Sequence, residues 1–117
     1  MTVPFSTYRD TWGIPHLKAD SEIELAYAQG YNVALDRGWQ IEVDRQRAKG
    51  TSASFLGREH LEWDKFARRT KIDETARICY QNLNSKTRHW ILSFVKGINS
   101  AVGKCKASAF DEHGISA

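Results

Sequence analysis

The sequence predicts a mainly helical α+β domain, a β-hairpin at the N-terminus followed by about five helices, and three observations carry that prediction. Residues 3–9 alternate between apolar and polar side chains and lead into a Gly13-Ile14-Pro15 turn, as two short strands joined by a tight connection would. Ser21-Glu22-Ile23-Glu24 has the spacing of a capping box, which starts a helix. Near the other end Trp90, Ile91, Phe94, Val95, Ile98, Ala101 and Val102 recur at three- and four-residue intervals, the spacing of one buried helical face.

The elements follow in order. Pro15 biases Ile14 to an extended backbone, Gly13 supplies turn freedom, and His16-Leu17-Lys18-Ala19 forms the return strand. The helix from Ser21 carries Ile23, Ala26, Tyr27, Tyr31 and Ala34 on one side, and Gly30 within it marks close approach by another segment. Asp36-Arg37-Gly38 is a break before a second helical stretch with Trp39 and Val43, closed by Gly50. A short helix over 51–56 ends at Gly57, read as a left-handed cap, and another covers 59–69 with Leu61, Trp63, Phe66 and Ala67. Asp73 is placed as the cap of a helix presenting Ala76, Cys79, Tyr80 and Leu83, Ser85 marks a restart, and the last helix is expected to stop at Gly103. The organisation expected is one domain over 1–117, with a hairpin to about 20, helices over 21–104 and a loose tail over 105–117.

Composition narrows the function classes. The chain has 117 residues, 41% hydrophobic and 26% charged, ordinary values for a globular chain that buries a core. A net charge of +3 hints at nucleic acid, but the Lys and Arg residues are interleaved with Asp and Glu, so a solvated surface is the better reading. The N-terminus has no apolar run of signal-peptide or membrane-span length. Two cysteines, Cys79 and Cys105, sit in no ligand motif and read as buried or idle thiols.

Direct searches for chemistry return no catalytic, cofactor-binding or metal-ligating residue. His16, His60, His89 and His113 are scattered without ligand spacing. Glu22 with Glu24, and Glu42 with Asp44, stand two residues apart, which on a helix turns them away from each other. No nucleophile elbow, zinc-protease motif or phosphate-cradling glycine loop is present.

One resemblance is specific. Residues 9–19, Arg-Asp-Thr-Trp-Gly-Ile-Pro-His-Leu-Lys-Ala, resemble the opening motif of the penicillin acylase family of N-terminal-nucleophile hydrolases. Residues 26–31 (Ala-Tyr-Ala-Gln-Gly-Tyr), 36–42 (Asp-Arg-Gly-Trp-Gln-Ile-Glu), Arg45, Arg47, Ala48, Gly50, 55–57 (Phe-Leu-Gly) and 97–99 (Gly-Ile-Asn) continue it in order. Gly38 stands where the family has a bulky apolar residue, Thr51-Ser52-Ala53-Ser54 replaces the usual pattern, and Lys71-Ile72 lacks the common Leu-Gly.

The resemblance implies the α-chain part of an αββα fold, cut from a precursor whose large β chain begins with a serine. That serine's α-amine, with an ordinary pKa near 8, would act as its base, and β-chain backbone and asparagine groups would form the oxyanion hole. Relatives cleave the acyl amide of a β-lactam, an acyl-homoserine lactone or a lipopeptide, and many bind a structural calcium. No cofactor is expected in this chain, and the matched motifs are scaffold ones, so Arg9, Asp10 and His16 are expected to hold the hairpin. The expected partner is the downstream β chain, with self-association in its absence and no nucleic acid or membrane. Family resemblance suggests a periplasmic or secreted enzyme, while the lack of a signal peptide leaves the cytoplasm open. The alternative is a non-catalytic helical interaction module derived from an acylase.

Overall fold

The computed structural model describes residues 5–113, with side chains through Lys104. The element order is β1 (Ser6–Arg9), β2 (Pro15–Lys18), α1 (Glu22–Lys49), α2 (Ala53–Leu56), a 3-10 turn (Arg58–His60), α3 (Leu61–Arg69), α4 (Ile72–Gln81) and α5 (Ser85–His113). The mainly helical α+β class, hairpin first and five helices after, is therefore observed. Two compact units divide the chain, one formed by residues up to Gly38 with those from Ser85 onward, the other by Trp39–Asn84.

In the first unit β1 and β2 pair antiparallel, with Tyr8 opposite His16 and Arg9 opposite Pro15. Both strands are largely exposed; Phe5, just before them, sets its ring 5.9 Å from that of Tyr27 and 5.8 Å from that of Tyr31. The capping box forms in shifted style. The Glu24 amide donates to Ser21 Oγ at 3.2 Å, while the Glu24 carboxylate reaches back to the Asp20 amide at 3.1 Å, one residue before the position predicted. The buried stripe of this first stretch is Ala26, Ala28, Gly30, Asn32 and Ala34, small residues that let α5 come close. A Cβ built on Gly30 would meet the Phe94 carbonyl, which is why the sequence tolerates glycine inside a helix there. From α5, Ser93 donates to the Ile23 carbonyl at 2.7 Å, and Trp90 stacks on Phe94 with ring centroids 5.6 Å apart. Asn32 is buried and occupied: its amide donates to the Ala28 carbonyl at 2.9 Å, and Thr7 of β1 donates to its carbonyl oxygen at 3.4 Å.

The break predicted at 36–38 is real. Arg37 leaves helical geometry at φ −137° and ψ 25°, so α1 is two helical stretches meeting at a kink, and the units divide just after it. Gly50, at φ +68°, ends the second stretch.

Three expectations need correction. Gly57 adopts φ +117° and ψ 168°, an extended glycine-only conformation rather than the left-handed cap. Asp73 is not the cap of α4; the helix begins at Ile72 after Lys71 in left-handed geometry (φ 56°), and Asp73 lies inside the first turn accepting from Arg77 Nε at 3.1 Å. Gly103 does not stop α5, whose backbone continues to His113 through a stretch expected to be loose. A glycine ends a helix when the chain needs positive φ, and Gly103 has none. Residues 114–117 of the expected tail lie outside the described residues.

Candidate functional site: the polar brace at the hairpin turn

The five residues between the strands, 10–14, place three polar side chains of the motif, those of Arg9, Asp10 and His16, side by side. Asp10 organises the turn. Its Oδ1 accepts the amides of Trp12 at 2.9 Å and Ile14 at 3.0 Å, and its Oδ2 faces His16 Nε2 at 3.0 Å. The backbone closes the same loop, with the Asp10 amide donating to the Ile14 carbonyl and the Gly13 amide to the Asp10 carbonyl. Gly13 holds φ +78°, where a side chain would be strained. His16 first, then the Ile14 and Trp12 amides, hold the Asp10 carboxyl below the usual carboxylate range.

Arg9 joins this turn to α1. One guanidinium nitrogen donates to the Gly13 carbonyl at 3.0 Å and the other to Asp36 Oδ1 at 2.8 Å, immediately before the Arg37 kink. Two motif segments, the Arg9-Asp10 pair and Asp36, thus form one contiguous brace across 27 positions from Arg9 to Asp36. Chemically it fixes backbone. Among the described residues the His16 ring makes no hydrogen bond besides that to Asp10, and it lies 5.8 Å from the ring of Tyr8. Beside the brace, Pro15, Leu17, Leu25, Gln29, Asn32, Val33 and Asp36 line an open groove of about 330 Å3.

The remaining residues singled out from sequence are not brought together. His60 precedes α3, His89 is exposed on α5, and the side chains of His113 and Cys105 lie outside the described residues. Cys79, read as buried or idle, is exposed. Glu22 pairs with Lys86 at 3.1 Å, and Glu42 with Arg45 at 2.7 Å and with Gln46 at 2.8 Å. Arg45 and Gln46 together hold the Glu42 carboxyl down to about 2. Among the described residues no group of three or more His, Cys, Asp or Glu side chains converges on one point.

Sequence reasoning missed a second polar node, in the other unit. Asp64 is 5% exposed and accepts from the Ser52 amide at 3.0 Å, the Ser52 hydroxyl at 2.5 Å and the Ala53 amide at 2.7 Å. Burial pushes its carboxyl up, but these donors and the Arg68 charge outweigh it and the acid is strengthened. Arg68 donates in turn to the Gly50 carbonyl at 2.8 Å. The available signal was spacing, since Asp64 falls on the same helical face as Leu61 and Ala67.

Comparison with known proteins now decides the family. A family profile described as penicillin amidase matches residues 4–114. The chain belongs to the penicillin amidase family. This penicillin-amidase chain is similar to penicillin acylase 2 proenzyme of Pseudomonas sp. (strain SE83), 34% identical over 100 residues that make 86% of this chain and 13% of that protein. It is similar also to penicillin G acylase of Escherichia coli, 32% identical over 82% of this chain and 11% of that one. Acyl-homoserine lactone acylase QuiP of Pseudomonas aeruginosa is 28% identical over 81% of this chain. Among solved structures, a thermostable penicillin G acylase from Alcaligenes faecalis superposes with a TM-score of 0.78 at 27% identity, covering 89% of this chain and 55% of that one. The chain thus spans between a tenth and a seventh of the length of the curated relatives named.

Proposed function

We propose that these residues are the N-terminal, α-chain part of an acylase that hydrolyses the C–N bond of an acyl amide, using an N-terminal serine supplied by polypeptide outside this chain. The observation that carries this is the brace. The segment that resembles the family's opening motif spends its polar groups on one another and on the turn, as a scaffold would, leaving the chemistry to another part of the protein. The relatives are named as acylases of penicillins and of acyl-homoserine lactones, so the substrate class proposed is an amide joining an acyl group to a small amine nucleus.

In that enzyme the nucleophile's own α-amine takes the hydroxyl proton, the hydroxyl oxygen attacks the amide carbon, and the amine leaves with a proton as an acyl-enzyme ester forms. Water then hydrolyses the ester. The residues described here contribute position: the Arg9–Asp36 and Asp10–His16 pairs fix the hairpin on α1. A structural calcium, where the full-length enzyme binds one, is held by residues outside this chain, and the enzyme works in the periplasm or after secretion.

The test is hydrolysis by the full-length protein of phenylacetyl-amide, penicillin and acyl-homoserine lactone reporters, with release of the free amine as the signal. Turnover of at least one of these above the buffer rate is expected; none with a correctly processed protein would overturn the proposal.

A further inference from the structure

Within the first unit an open groove of about 630 Å3 runs between the first turn of α1 and the N-terminal part of α5. Part of its wall is apolar. Ile23 of α1 and Leu92 of α5 border it, and they stay 41% and 43% exposed. The α5 side is also cationic, because Lys86, His89 and Lys96 line the groove with Leu92 at three- and four-residue intervals, the spacing of one helical face.

The charges there do not cancel. Lys86 pairs with Glu22 at 3.1 Å, whereas among the described residues the side chains of His89 and Lys96 have no hydrogen-bond or ion-pair partner. The buried Ser93 hydroxyl is already donated to the Ile23 carbonyl. One lysine is therefore left uncompensated, beside an imidazole that offers an N–H whether or not it is protonated.

Charge and apolar surface together select the ligand. A single uncompensated cation matches a monoanion better than a phosphate dianion, and N–H donors strengthen that match by charge-assisted hydrogen bonds. Ile23 and Leu92 favour an apolar body behind the charge, and the groove has the volume of a small-molecule site. We propose that this groove binds an amphiphilic monocarboxylate, with its carboxylate on Lys96 and His89 and its apolar body along Leu92 and Ile23. Hydrolysis of an acyl amide releases an acid of this class; that source, unlike the binding itself, rests on the acylase reading.

The experiment irradiates the full-length protein with 4-benzoylbenzoate, a photoreactive aromatic carboxylate, and maps the adducts by mass spectrometry. The expected adducts fall on Ile23 or within residues 85–96. Octanoate or phenylacetate in excess should lower their yield severalfold, and which of the two competes better tells an aliphatic from an aryl ligand. The methyl ester of the probe should label these positions severalfold less. K96E and K96Q should lower the yield severalfold at an unchanged melting temperature, K96R should retain most of it, and E22Q, which releases Lys86, should raise it. Adducts confined to other positions, labelling as strong with the methyl ester, competition by inorganic phosphate equal to that by the carboxylates, or a yield indifferent to K96E would each overturn the proposal. Acyl-amide hydrolysis is read on the same preparations. A protein that hydrolyses without these adducts removes the carboxylate site alone, and one that forms them without hydrolysing removes the enzyme alone.

Discussion

Gly97 of α5 sits against the backbone of Tyr27 in α1, so closely that a Cβ at position 97 would collide with the Tyr27 carbonyl and lie 2.8 Å from the Tyr31 amide nitrogen. The relationship is reciprocal, since Gly30 of α1 sits in the same way against the Phe94 carbonyl of α5. Each helix therefore uses one glycine to let the other's backbone in. Gly97→Ala must push the helices apart along their whole contact, and we expect it to destabilise the full-length protein by about 2–4 kcal/mol, within the range for overpacking at a rigid site. Gly103→Ala is the control. Nothing lies within 4 Å of a Cβ there, so alanine should be neutral or stabilise by up to about 1 kcal/mol. Thermal melts of the two variants check both.

Asp64 should make folding sensitive to acid. Its folded pKa lies below the ordinary carboxylate value of 3.8, so the stability it contributes is fully present above that value and lost as pH falls through the folded one. Glu42 adds a smaller, solvent-screened contribution lost between 4.5 and about 2. Asp64→Asn keeps the shape but loses the charge and the acceptor for one amide. It should lower the melting temperature at pH 7 and flatten the fall in stability below pH 4, where Glu42→Gln changes little. Melting temperature against pH for the three proteins is the measurement.

His16→Ala should act on stability and yield rather than on chemistry. The ring's hydrogen bond is to Asp10, whose other oxygen orders the turn, so its loss loosens the hairpin. Correctly matured molecules of the full-length variant should keep most of their kcat. A fall of orders of magnitude in kcat at unchanged melting temperature would show that His16 takes part in the reaction.

Much of the fold was legible because its signals are local. The alternation before Gly13, the Ser21 and Glu24 spacing and the Asp36-Arg37-Gly38 break each depend on a few adjacent residues; the break appears where it was read, the strand occupies Ser6–Arg9 within the span expected, and the capping box forms with its return bond one residue earlier. Gly30 was legible as a close approach, though not its partner. Of the site, Arg9, Asp10 and His16 were read as turn residues, but pairing Arg9 with Asp36 needs the three-dimensional path. What failed had competing local solutions. Asp73 could cap a helix or pair with Arg77, and it pairs; Gly103 could end a helix or be carried through one, and it is carried through. The Asp64 node was hidden because a buried carboxylate is disfavoured until its donors are known. The core was misjudged in size, since large side chains were expected inside and the buried apolar side chains among the described residues are those of Ala26, Ala28, Ala34, Ala67 and Ala101, while Trp12 is 86% exposed.

That exposure predicts the behaviour of the isolated 117-residue chain. Trp12, Trp39, Ile14 and Tyr8 each remain more than half exposed, and leaving several hundred Å2 of apolar surface in water forfeits on the order of 10 kcal/mol. Purified alone, the chain should self-associate or bind a hydrophobic dye, and it should not hydrolyse acyl-amide reporters. Size exclusion with light scattering checks this: a sharp, dye-negative monomer at high concentration would favour a complete interaction module.

The central claim is that the nucleophile is a serine freed by processing outside these residues, and the most direct measurement is the N-terminal sequence of the large chain in the mature full-length protein. We predict two chains, a small one containing residues 9–102 and a large one beginning with serine, whose replacement by alanine leaves an unprocessed, inactive precursor. A single uncut polypeptide that hydrolyses acyl amides, or a mature large chain that begins with a residue other than serine, would contradict it.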